Sequence, residues 1–167
     1  MTSAEKFTGG IDRFIDLVGR ATSWLALILA LVMGANVLLR YGFSIGSIAM
    51  QELEWHLLVP ICVFGISYAL LHGEHVRVDV LFQYFSLRNK LRVEMITAIS
   101  AMLLSVLVIW LCIPYVWQSW SIGEGTANPG GIDYRYVVKA LIPIGFALFF
   151  LQSLSQAIKT YHAMRRA

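Results

Sequence analysis

Gln51–Val80, QELEWHLLVPICVFGISYALLHGEHVRVDV, is the stretch whose reading decides the fold. It opens on a polar cluster, Gln51, Glu52, Glu54 and His56, set beside Trp55. An apolar run from Leu57 to Leu71 follows, and a second polar cluster closes it: His72, Glu74, His75, Arg77 and Asp79. With its flanks the run approaches the roughly 20 residues that cross a bilayer. Charged groups at the ends of such a run are costly unless headgroups or protein partners meet them. Pro60 lies inside the run, lacks an N–H, and its ring conflicts with the carbonyl of His56. A kink or loosened turn is therefore expected beside the first polar cluster.

Working outward, three more apolar runs have the same character, which accounts for a composition 58% hydrophobic and only 14% charged. A soluble domain is usually about 45–50% apolar and about 25% charged. The chain reads as an all-α integral membrane protein, a single membrane domain over residues 1–167. Its four transmembrane helices are expected near 21–40, 52–71, 95–120 and 136–158. No connection is long enough for a separate soluble domain. Cys62 and Cys112 fall inside apolar runs, at a spacing that matches no ligand pattern, and read as small packing residues.

Ahead of the first run, Phe7, Ile11, Phe14, Ile15 and Val18 recur at helical spacing, so an amphipathic lead-in helix is expected. A basic segment before an apolar run could be a signal peptide, but no small-residue cleavage site follows, and an uncleaved span is the better reading. Val78, Leu81, Phe82 and Phe85 form an apolar stripe, followed by the bases Arg88, Lys90 and Arg92. That pattern predicts an in-plane amphipathic helix near 79–93, with Arg88, Lys90, Arg92 and, elsewhere, Trp120 at the lipid interface. The alternative is that part of the stripe begins the third span. Lys and Arg total ten on the termini and second connection against three on the other two connections. The positive-inside bias then places both termini in the cytoplasm, with His75, Arg77 and Asp79 as a cytoplasmic collar.

No catalytic motif is visible: no G-x-S-x-G, no Walker loop, no H-E-x-x-H, and no acid deep in a span. The chain does not read as an enzyme, and its modest +3 charge suits lipid headgroups better than nucleic acid. A haem reading fails on depth, because His56 lies near one end of its span and His72, His75 and His162 near the other. Glu52 and His56, four residues apart, share a helix face beside Trp55. They read either as a headgroup-bathed collar or as a contact surface for another membrane subunit. Thr97, Ala101 and Ser105 form a small-xxx-small row that admits a second backbone, and Lys139 opens the fourth span; both are assigned to the same partner interface. The glycine- and proline-rich stretch SIGEGTANPGGI, Ser121–Ile132, is unsuited to a regular element and reads as a loop on the outer side.

Four ordered motifs carry a family resemblance: QELEWH at Gln51–His56; GEHVRVDV at Gly73–Val80; SWSIGE at Ser119–Glu124; and KALIPIGFAL from Lys139, leading to LQSL at Leu151–Leu154. Over residues 13–159 the chain resembles the DctQ-type small membrane subunit of tripartite ATP-independent periplasmic (TRAP) transporters. Asp133-Tyr134 departs from the pattern, which has a proline before an aromatic there. The resemblance implies a bacterial inner-membrane protein paired with a large multi-span subunit. That subunit would hold the substrate and sodium sites and move as an elevator, so this chain would carry no cofactor itself. A periplasmic binding protein would deliver an organic anion, a carboxylate or sulfonate, with Glu124, Asp133 and Arg135 of the outer loop as its candidate docking residues, and the small subunit would enlarge the stationary scaffold. Two other readings compete: a self-sufficient homo-oligomeric transporter and, third, a haem-binding electron-transfer subunit.

Overall fold

The computed structural model describes residues 3–74 and 85–166. Among them are four long helices: α1, Ser3–Gly42; α2, Ile48–His72; α3, Leu87–Ser121; and α4, Arg135–Arg166. Each contains a window long and apolar enough to cross a membrane. The lead-in segment is continuous with the first apolar run, so α1 is a single 40-residue rod. Ser47 caps α2 by accepting from the Met50 N–H at 3.3 Å, and Gly73, at φ 74°, ends it. Helical assignment runs unbroken through the buried Pro60.

The described part of the expected in-plane helix belongs to the third span. Leu87 to Val93 are the first turns of α3, continuous into the apolar run, because no glycine or proline interrupts the sequence between them. Residues 75–84, and with them His75, Arg77 and Asp79, lie outside the described residues.

α4 packs against all three other helices, and α1 packs against α2 and α4. What is buried is mainly small or polar: Thr22, Ser67, Ser105, Ser153 and Ser155 are among the most enclosed side chains, with few apolar residues beside them. Large apolar residues face outward, among them Trp24, Leu38, Trp55, Leu103, Trp110 and Trp117. In water an apolar exterior of this extent would drive aggregation. In lipid it is the expected arrangement, because tails solvate leucine as well as protein does and helices associate through close small-residue packing. Two glycines show how close the helices come. A Cβ on Gly19 of α1 would sit 1.9 Å from the Tyr68 ring of α2, and one on Gly145 of α4 would sit 2.6 Å from the Val63 Cβ.

Two polar clasps and the candidate functional site

Glu52 lies in the second turn of α2, at the end of the bundle where α3 is joined to α4. Its carboxylate is buried, and the connecting loop folds around it. One oxygen accepts from the Thr126 hydroxyl at 2.5 Å and the Asn128 amide at 3.2 Å, while the other accepts from the Ile132 backbone N–H at 2.6 Å. Arg135, at the start of α4, places its guanidinium 3.8 Å away. A carboxylate with hydrogen bonds to both oxygens and a nearby cation is the situation in which burial of a charge is tolerated.

The loop is shaped to reach it. Thr126 also accepts from the Asn128 N–H at 3.2 Å, closing a small turn. Gly130 takes φ 80°, and a Cβ on Gly131 would lie 2.6 Å from Glu52 Oε2 and 2.7 Å from Thr126 Cγ2. The loop therefore needs glycine at 130 for its backbone and at 131 for space. Beside it, Lys139 pairs with Glu124 and lies over the Tyr115 ring, 4.2 Å from its centroid. That hydrogen bond from Lys139 holds the Glu124 carboxyl below the usual carboxylate range. Tyr134, at φ 65° and well exposed, is the last residue before α4, and Tyr136 packs edge-on against Trp120 at 4.8 Å.

A second clasp joins α1 to α4 at the opposite end. Asp12 accepts from Ser155 at 2.8 Å and Gln152 at 3.4 Å, and Lys159 pairs with its other oxygen. Nearby, Asp16 pairs with Arg20 at 2.9 Å and faces His72 Nε2 at 3.4 Å; the His72 ring packs at a tilt against Tyr68, 4.4 Å between centroids.

The residues singled out from sequence divide sharply. Glu52, Glu124, Arg135 and Lys139 come together around one loop. Asp133 is exposed on that loop, its carboxylate 2.8 Å from where a Gly125 Cβ would stand. Glu52 and Ser105, both read as facing a partner subunit, are buried within this chain, with Ser105 bonded to the Ala101 carbonyl at 2.7 Å. Trp55 and Thr97 are exposed, and Ala101 and His56 are half-buried. The His56 ring bonds to the Glu52 carbonyl through Nδ1 at 2.6 Å; since a carbonyl only accepts, Nδ1 carries the proton there. Arg88, Arg92 and Trp120 are exposed, as an interfacial role requires, while Lys90 is half-buried. Asp12, Thr126 and Asn128 were not anticipated. Asp12 looked like one charge among several in a mixed segment, and a carboxylate's partners in a distant loop leave no spacing signal.

The family described as "Tripartite ATP-independent periplasmic transporters, DctQ component" matches residues 10–162, nearly the whole chain and both clasps. The chain belongs to the DctQ family. It is similar to the ectoine TRAP transporter small permease protein TeaB of Halomonas elongata, 23% identical over 133 residues, covering 80% of this chain and 68% of that one. It is thus a multi-pass small permease subunit of a TRAP transporter, a non-enzymatic transport component. Membership of the DctQ family, a transport component, is consistent with polar clasps that, among the described residues, hold the bundle's own helices and loop together.

Proposed function

We propose that this DctQ subunit is the stationary small scaffold of a sodium-coupled importer of organic anions, working with a large elevator-type membrane subunit and a periplasmic binding protein. It sits in the bacterial inner membrane, with both termini in the cytoplasm and the 122–134 loop on the periplasmic side. The observation that carries this reading is where the ionisable groups sit. Asp12, Asp16, Glu52, Glu124 and Lys139 are engaged near the bundle's two ends, and the central turns of the four spans contain no Asp, Glu, Lys or Arg. A subunit that coupled ion movement to transport would need an ionisable or cation-coordinating site near mid-membrane. The sodium ion and the substrate are therefore assigned to the large subunit.

Reconstitution into vesicles carrying a sodium gradient tests this. Labelled organic acids are assayed as cargo, with ectoine included because it appears in the name of the Halomonas relative. Uptake is expected only when this chain, the large subunit and the binding protein are all present. Sodium-driven uptake by this chain alone would overturn the scaffold reading in favour of a self-sufficient transporter.

A further inference from the structure

Glu54 is an acidic residue of α2 that neither clasp uses. It lies six residues into α2, roughly 9 Å along the helix from its start at the usual rise per residue. There it accepts a hydrogen bond from the Asn36 side-chain amide of α1 at 2.9 Å. Asn36 is itself 8% exposed, lies inside the apolar run of α1, and its own Oδ1 has no partner. The amide is thus turned so that its donor serves the carboxylate while its acceptor goes unsatisfied, which fixes the carboxylate in place. No cation among the described residues pairs with Glu54. Glu52, two residues earlier, has four partners, so the contrast within one helical turn is large.

Beside Glu54, α2 presents an exposed stripe at helical spacing: Gln51, Trp55, Leu58, Cys62 and Ile66. Gly65, next to it, has nothing within 4 Å of where a Cβ would be, so another helix could approach closely there. Lipid tails would solvate this apolar stripe but offer no cation to the half-buried carboxylate beside it.

We propose that the Glu54 face of α2 is the docking surface for the large membrane subunit, and that Glu54 receives an Arg or Lys side chain from it. This rests on the scaffold reading above and adds the face and the chemistry of the contact. Charge complementarity selects that occupant over lipid, and Asn36 acts as the positioning residue that holds the acceptor ready.

The test uses the complex purified from cells co-expressing both membrane subunits. Glu54→Gln keeps an oxygen to accept from Asn36 and removes only the charge. It is expected to leave the thermal stability of this chain alone unchanged while lowering the retained large subunit at least about fivefold after a salt wash. Retention equal to wild type would overturn the proposal. A photo-crosslinking residue at Leu58 should capture the large subunit more efficiently than one at Leu103, which is exposed on α3. Capture of a second copy of this chain, or of lipid only, at Leu58 would also overturn it. If wild-type chain retains no large subunit at all, the scaffold reading itself fails. Assembly with crosslinks confined to Leu103 sinks the Glu54 face alone.

Discussion

The two ends of the bundle solve the same problem with different materials. Each engages one carboxylate at α4 or its entry, but the buried Glu52 is gripped mostly by a loop, and the half-buried Asp12 by side chains of one helix. The Asp12 clasp joins two rods that would be helical regardless, and its Asp and Lys side chains stay 24% and 40% exposed. At the other end, a glycine-rich segment with no repeating hydrogen-bond pattern takes its shape from the carboxylate it encloses. A loop that depends on one acceptor should fail when that acceptor is lost, whereas a helix pair should only loosen.

Glu52→Ala therefore has the largest expected effect. It leaves the Ile132 N–H, Thr126 and Asn128 without their acceptor, and protease cleavage within the 123–131 segment should rise on the order of a hundredfold. Cleavage no faster than wild type would mean that the loop holds its shape without Glu52 and that the comparison is empty. Gly131→Ala comes next. The added methyl meets Glu52 Oε2 and Thr126, an overpacking that should destabilise by about 1–3 kcal/mol, read as a lower midpoint in detergent unfolding. The smallest expected change is at the other end: Asp12→Asn keeps the shape and loses a partly exposed ion pair, costing under about 1 kcal/mol, with the loop's protease sensitivity unaltered. An Asp12→Asn effect as large as that of Gly131→Ala would show that the helical end is the more fragile of the two.

Much of the architecture was legible in the sequence because a membrane imposes it residue by residue. A run such as Met95–Trp120, without a formal charge, has to be helical in hydrocarbon, since only a helix satisfies its own backbone there. The four spans, the transporter family and the importance of the QELEWH and SIGE motifs could all be read from local composition and order. Over residues 87–93 the structure follows the alternative reading, in which the segment begins the third span. Arg88, Lys90 and Arg92 are compatible both with lying in the interface and with the first turns of a long span, and local pattern does not separate the two.

What only the tertiary structure decided is which polar groups are spent inside the chain. Glu52, Glu54 and His56 look alike along the sequence, three polar residues at the mouth of one apolar run. Folding gives Glu52 to a loop some 75 residues away, His56 to the backbone of its own helix, and Glu54 to a single amide on α1. The reason is that hydrogen bonds in a low-dielectric interior go to whichever donor the packing brings within about 3 Å, and sequence distance does not enter that choice. The sequence by itself determined that this is a four-span DctQ subunit with charged groups near the ends of its helices. The fold determined that the charge at Glu52 ties the loop to α2 and that the one at Glu54 meets no cation among the described residues.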